Sequence, residues 1–173
     1  MRRDPTNWIS DSIEACTVDG IGNALKVVRP IKKDALVVCY GGIIIDLQEL
    51  RSMDEDRQMY TIQVNDELYL SAVPGVSLGI GEYLNHSCDP TCGFSSEINL
   101  VAIRDLEPGD LITVDYATCN SSFPSDMKCL CGSKKCRGII KENDWELEDV
   151  QSRLLDYYQP YLRRRVKGSL STP

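Results

Sequence analysis

Apolar residues in this chain come in short bursts separated by turn-forming residues, and most of the bursts read as strands. Residues 35–45 (ALVVCYGGIII) form a long β-rich run split by Gly41-Gly42, which predicts a bend or bulge. Residues 62–70 (IQVNDELYL) predict a hairpin turning at Asn65-Asp66. Two more apolar β segments, INLVAIRD and LITVDYA, are separated by Glu107-Pro108-Gly109-Asp110. Helices are few. Asp46-Leu47-Gln48-Glu49 has the D-x-x-E form of a helix start, predicting a short helix to about Met53. A second helix is predicted from near Asn143, with Glu146 three residues on. It should bury Leu147, Val150, Leu154 and Tyr158 and end at Pro160. The last six or so residues should fray. No repeat, low-complexity tract or dividing linker interrupts the pattern, so the chain reads as one mainly β domain with a few short helices.

Composition narrows this modestly. Hydrophobic content of 42% and charged content of 26% suit a globular protein. No apolar run is long enough to span a membrane, so no membrane association is expected. The opening MRRDPTNW has no apolar stretch behind its arginines, and no secretory signal is visible. Eight cysteines without such a signal favour a reduced, intracellular setting with metal binding over the rival disulfide framework. The net charge of −7 argues against nucleic acid as direct ligand and is compatible with a basic partner, although on charge alone plain solubility is the better reading. Arg163, Arg164, Arg165 and Lys167 cluster near the end, leaving the rest of the chain more acidic still.

The candidate chemistry lies between Gly20 and Cys136. Gly20-Ile21-Gly22 lets the backbone turn sharply, either as a bare turn or as a ligand-contacting loop. The segment EYLNHSCDPTC holds the single histidine, His86, between Asn85 and Ser87, and then Cys88. A histidine so placed reads first as a hydrogen-bonded structural residue. Tyr116 ends the strand ITVDY, where a tyrosine is often a core edge with its hydroxyl in water. Cys129, Cys131 and Cys136, spaced C-x-C-x4-C, supply three of the four soft ligands that zinc wants. Cys16 and Cys39 read as small core residues.

The ordered set N-H-S-C-x-P, D-Y and trailing cysteine trio resembles the SET-domain protein lysine methyltransferases with a post-SET zinc segment. The resemblance covers roughly residues 14–140. It implies a SET fold of small β-sheets with a C-terminal pseudoknot, followed by the zinc segment and a C-terminal helix. The expected divisions are an N-terminal extension (1–13), the SET domain (14–119), the post-SET zinc segment (120–140), and a C-terminal helix with basic tail (141–173).

It also implies S-adenosylmethionine as methyl donor, contacted by Gly20, Ile21, Gly22, Asn85 and His86, with Tyr60 near the cofactor. On this reading His86 is neither metal ligand nor general base. Tyr116 becomes the key catalytic residue, its hydroxyl near the transferred methyl, and Tyr40 lines the lysine channel. The family takes the fourth zinc ligand from the N-H-S-C cysteine, here Cys88; Cys92 and Cys119 are near enough in sequence to compete. Phe94 and Val114 are candidates for the pocket position that limits methyl number. Neither carries a hydroxyl, which implies a product beyond monomethyl-lysine. The expected substrate is a lysine of a basic protein, with a histone-like tail as one candidate, and the expected location is the nucleus if the host has one. The alternative is a SET fold that has lost turnover and holds a peptide or partner. A purely structural zinc protein would leave N-H-S-C and D-Y unexplained.

The chain departs from the family's usual pattern in three places. Thr91 stands where N-H-S-C-x-P is usually followed by Asn. Glu82-Tyr83-Leu84 precedes the motif in place of a basic residue. Arg137-Gly138-Ile139-Ile140 follows the trio where relatives often carry an aromatic, with Trp145 further on.

Overall fold

A computed structural model describes residues 6–121 and 126–169. Its strands are short. The first seven are β1 (Trp8–Ile9), β2 (Ile13–Val18), β3 (Gly22–Val27), β4 (Leu36–Cys39), β5 (Ile43–Asp46), β6 (Ile62–Gln63) and β7 (Leu68–Ser71). The rest are β8 (Asn85–His86), β9 (Cys92–Phe94), β10 (Asn99–Ala102), β11 (Thr113–Val114), β12 (Met127–Lys128) and β13 (Ile139–Ile140). They form an antiparallel sheet in the order β1-β4-β10-β9, a three-stranded sheet β5-β7-β6, and the pairs β2-β3, β8-β11 and β12-β13. Among these pairings β8-β11 alone is parallel. This is the mainly β arrangement of small sheets that the sequence pattern predicts.

The break at Gly41-Gly42 sends β4 and β5 into different sheets. Gly42 has a φ of 144, and a Cβ there would run into the Ser71 carbonyl oxygen; one on Gly41 would meet that of Thr6. Glycine is therefore required by close backbone approach as well as by conformation. The predicted hairpin forms, with Val64 and Asn65 N–H groups both donating to the Leu68 carbonyl at 3.0 and 3.2 Å. Helix α1 (Leu47–Ser52) opens with the predicted reciprocal cap: Asp46 Oδ1 accepts from Glu49 N at 2.8 Å, and Glu49 Oε2 from Asp46 N at 3.0 Å. A four-residue helix, α2 (Glu55–Gln58), follows.

The C-terminal segment departs from the single helix expected. A 3-10 turn (Asp144–Glu146) leads to α3 (Glu148–Leu154), then a second 3-10 turn (Leu155–Tyr157) and helix α4 (Pro160–Ser169). Pro160 opens a helix instead of ending one. Proline suits a first helical position, where its fixed φ is already correct and its missing N–H has no partner to lose. Val150, Leu154 and Tyr158 are buried as expected, but Leu147 sits extended between turn and helix and is 42% exposed. The basic cluster lies on α4, whose other face buries Tyr161, Leu162 and Val166. Residues 170–173, within the stretch expected to fray, lie outside the described residues.

The main core joins Leu25, Val37, Val38, Tyr40, Phe94, Leu100, Ile112 and Val114 between the sheets. A second cluster packs α3 and α4 against Ala117, one residue past Tyr116. Tyr161 donates its hydroxyl proton to Gln63 Oε1 at 2.8 Å, Arg165 Nε donates to Asp66 Oδ1 at 2.7 Å, and Gln159 N donates to the Thr118 carbonyl at 2.7 Å. The C-terminal helices thus brace both the β6-β7 hairpin and the turn that carries Tyr116. Leu162 is fully buried in this cluster, so Leu162→Ala should cost about 2–5 kcal/mol. In a urea titration that loss should appear in the single global transition. Unchanged stability would mean that α4 is not part of the cooperative unit.

Candidate active site and metal centre

The parallel pairing of β8 with β11 makes the site. It sets Asn85 opposite Thr113 and His86 opposite Val114, and Ser87 N then donates to the Val114 carbonyl at 3.0 Å. Tyr116 consequently emerges beside His86, with ring centroids 5.2 Å apart. Its backbone N–H donates to His86 Nδ1 at 3.2 Å, and its hydroxyl donates to the Leu84 carbonyl at 3.1 Å. Gly20 and Gly22 carry φ of 78 and 95 in the β2-β3 hairpin turn. Asn85 Nδ2 ties the junction to that hairpin by donating to the Asn23 carbonyl at 2.8 Å. Between them lies a cleft of about 180 Å³ whose walls include Ile21, Ala24, Asn85, His86, Ser87 and Cys131. The glycine turn, Asn85 and His86 are therefore brought to one cleft.

Tyr40 follows β4 and is 4% exposed, and its hydroxyl is buried without a hydrogen-bond partner among the described residues. Burial raises its pKa well above the usual phenol value, and Glu82, Cys119, Cys92 and Tyr116 push the same way. Tyr116 is also raised, by burial first and then by the Cys119 thiol and Tyr60. Both tyrosines therefore stay protonated and act as neutral hydrogen-bonding groups. Tyr60, 37% exposed, lies within electrostatic reach of Tyr116. Phe94 and Val114 are buried in the same cluster as Tyr40, with the Phe94 ring 6.4 Å from that of Tyr40. Tyr116 packs against this cluster and also against the one formed by Cys88, Cys129 and Ile140.

Cys88 and Cys129 also belong to a group that could hold a metal ion. The ligand atoms of His86, Cys88, Cys129 and Cys131 all lie within 4.8 Å of one another. Cys88 Sγ and Cys129 Sγ are 3.8 Å apart, and a tetrahedron built on Zn–S bonds of about 2.3 Å has edges of about 3.8 Å. Burial opposes ionisation of Cys131, but hydrogen bonding with Ser133, Cys129 and the backbone brings its thiol down to about 6. Burial holds the Cys129 thiol up, and hydrogen bonding with Cys131, Cys136 and Cys88 adds to that. Cys136 is exposed, and its Sγ accepts from Gly138 N at 3.4 Å. Cys92 lies in β9, its thiol pushed to about 12 by burial, and Cys119 lies beside Tyr116; neither joins the group. All eight cysteines are free thiols, and Cys16 and Cys39 are only partly buried.

His86 needs its proton located. Nδ1 accepts the Tyr116 N–H, so the neutral ring carries its own proton on Nε2, which faces Cys88 Sγ at 3.2 Å. Burial lowers the pKa to about 4, with Asp115 working in the opposite direction and Arg137 adding to the fall. At neutral pH the ring is therefore a donor toward the Cys88 sulfur. Binding a metal through Nε2 would require loss of that proton.

One buried ion-pair network beside the site escaped sequence reasoning. Asp115, 0% exposed, accepts from both terminal guanidinium nitrogens of Arg137, whose Nε donates to Asp144. Asp115 and Arg137 sit inside recognised motifs, D-Y and the residue after the cysteine trio, but nothing in spacing pairs them. Trp145 packs with the C-terminal cluster, with the Arg165 guanidinium 5.9 Å from its ring centroid.

A family model described as "SET domain" matches residues 22–117, more than half of the chain. The chain belongs to the SET domain family. It is 26% identical over 132 residues to "Histone-lysine N-methyltransferase ASHH2" of Arabidopsis thaliana, covering 69% of this chain and 7% of that protein. It is 26% identical over 150 residues to "Probable histone-lysine N-methyltransferase set-23" of Caenorhabditis briggsae, covering 78% of this chain and 62% of the relative. To "Histone-lysine N-methyltransferase 2D" of Homo sapiens it is 28% identical over 149 residues, 79% of this chain and 3% of that one. The chain thus spans only part of each of these relatives. No helix among the described residues is long and apolar enough to cross a membrane.

Because His86 is the single histidine, its tautomer can be read directly. A long-range proton–nitrogen NMR spectrum should show a neutral ring protonated at Nε2, unchanged from pH 8 to pH 5. An imidazolium signature at pH 6, or a proton on Nδ1, would contradict this arrangement.

Proposed function

We propose that this chain transfers a methyl group from S-adenosylmethionine to the side-chain amine of a lysine in a protein substrate. The observation that carries the reading is the buried Tyr40 hydroxyl, unpartnered among the described residues and within electrostatic reach of Tyr116, at the end of the β8-β11 junction. A buried polar atom without a partner is costly, and an incoming amine would satisfy it. The names of the relatives, two histone-lysine N-methyltransferases and one named as a probable one, support the same reaction class.

The residues of the cleft suit the cofactor. Ile21 and Ala24 offer apolar surface, Asn85 and Ser87 offer polar groups, and Gly20 and Gly22 leave open space where side chains would stand. Gly20, Ile21, Gly22, Asn85, His86 and Tyr60 would hold it. When bound it supplies an electrophilic methyl on a sulfonium. The chain's own part is placement. Free lysine titrates near 10.4, so its ammonium must first lose a proton. Phe94 and Val114, buried in one apolar cluster with Tyr40, would disfavour the charged form of an amine brought to that tyrosine. Tyr116 and Tyr40 remain protonated, so their oxygens orient the neutral amine without removing a proton from it. Alignment of this kind accounts for large accelerations without any nucleophile or general base on the enzyme. Phe94 and Val114 add no hydroxyl that would hold a methylated amine still, which favours a product beyond monomethyl-lysine.

The acidic body suits a basic substrate, with a histone-like tail as one candidate, and a nuclear location follows if the host is eukaryotic. The divisions 1–13, 14–119, 120–140 and 141–173 serve as working boundaries for extension, SET domain, zinc segment and C-terminal helices.

Tyr116→Phe keeps the ring and removes the hydroxyl. Turnover on a lysine substrate should fall roughly 10-fold or more, about 1.4 kcal/mol in barrier, while cofactor affinity by calorimetry changes little. Full activity in this variant would remove Tyr116 from its role.

We assign the zinc ligands to Cys88, Cys129, Cys131 and Cys136, with His86 donating to Cys88. Purified protein should carry about one zinc. Cys131→Ser and Cys136→Ser should each lose it, and His86→Asn should retain it. Metal analysis showing zinc kept in Cys136→Ser and lost in His86→Asn would reverse the choice of fourth ligand.

A further inference from the structure

Arg137 directly follows Cys136, and three of its donors are committed to two buried carboxylates. Nη1 and Nη2 grip Asp115 at 2.6 and 2.7 Å, and Nε donates to Asp144 Oδ2 at 2.8 Å. Its backbone N–H donates to Cys88 Sγ at 3.3 Å. At the other end of this contact, Asp115 starts the 3-10 turn Tyr116–Thr118. Its Oδ1 accepts from Ala117 N at 3.1 Å, and its carbonyl accepts from Thr118 Oγ1 at 2.7 Å. One guanidinium therefore spans the cysteine segment, the start of the C-terminal helices and the residue preceding Tyr116.

We propose that Arg137 is a positioning residue for Tyr116: it transmits the placement of the cysteine segment to the tyrosine through Asp115. The inference rests on the role given to Tyr116 above. A planar fork fixes both oxygens of Asp115 at once, and with them the turn they cap. A lysine at this position would supply the charge but not the bidentate geometry, nor the simultaneous reach to Asp144. Displacement of the cysteine segment would withdraw the guanidinium, leaving Asp115 buried and unpaired. The Tyr116 backbone N–H would then lose its fixed direction toward His86.

Arg137→Lys tests this, with zinc content, thermal unfolding, amide exchange and kinetics read on the same preparation. The variant should keep its zinc and its fold. Exchange at the Ala117, Thr118 and Cys119 amides should quicken about tenfold, and kcat should fall by a similar factor. KM for peptide and cofactor should stay within about threefold, since Arg137 is not among the residues lining the cleft. The pair Asp115→Asn with Arg137→Met removes both buried charges together and serves where the single change fails to fold. It should show the same fast exchange and slow turnover, even with stability restored. Wild-type kcat in either folded, zinc-loaded protein, or exchange no faster than wild type at these amides, overturns the assignment. The exchange reading needs no turnover, so a wild-type protein inactive on lysine would defeat the proposed function separately.

Discussion

The parallel pairing of Asn85-His86 with Thr113-Val114 is the constraint on which the rest depends. Parallel strands cannot be joined by a tight turn, so the chain between them must travel away and return. Here it does so through β9 and β10, two strands of the main sheet. The return delivers Asp115 and Tyr116 alongside the segment that holds Asn85, His86 and Cys88. Residues far apart in sequence thus meet with fixed register, and a slip of one position would turn Val114 out of the core. The Tyr116 N–H then bonds to His86 Nδ1, so the strand pairing, the histidine tautomer and the tyrosine's direction are one linked arrangement.

Around this junction, three further parts of the chain close the structure. The β2-β3 hairpin meets Asn85 on one side. The β12-β13 pair carries Cys129 and Cys131 back onto Cys88, and its Ile140 packs in the same small cluster. Helices α3 and α4 press on Ala117 and hold the β6-β7 hairpin through Gln63 and Asp66. Tyr116 lies where the β core and the cysteine cluster meet. Its environment is therefore set by several elements at once, which also meet directly, as where Arg153 reaches the Cys88 carbonyl and Arg165 reaches Asp66. Burying a carboxylate at this point is expensive unless it is fully paired, and the bidentate Arg137 provides that pairing. Such a charge pair contributes little net stability, but removing one partner alone leaves a costly uncompensated charge.

Much of this was legible in the sequence, because local chemistry agreed with the global fold. Gly41-Gly42, Asn65-Asp66 and the Asp46–Glu49 cap each specify a backbone event that tertiary structure did not overrule. The cysteine trio and Cys88 are recognisable by ligand type, and the structure gathers three of the four sulfurs with His86. Other features depend on context that no local pattern carries. Pro160 can end one helix or begin another, and only the packing of Tyr161, Leu162 and Val166 behind it decides. Leu147 reads as core by periodicity, but the helix begins one residue later than that register needs. The proton on His86 is set by a backbone group thirty residues away. Arg137 and Asp115 find each other only after the cysteine segment has folded back.

The most direct measurement is the chemical identity of the labelled product. Wild-type protein would be incubated with methyl-labelled S-adenosylmethionine and unfractionated histones, and the labelled protein hydrolysed to its amino acids. The label should be recovered in Nε-methylated lysine, with di- or trimethyl forms appearing as incubation lengthens. Label on arginine or a carboxyl group, or none at all from folded, zinc-loaded protein, would contradict the account.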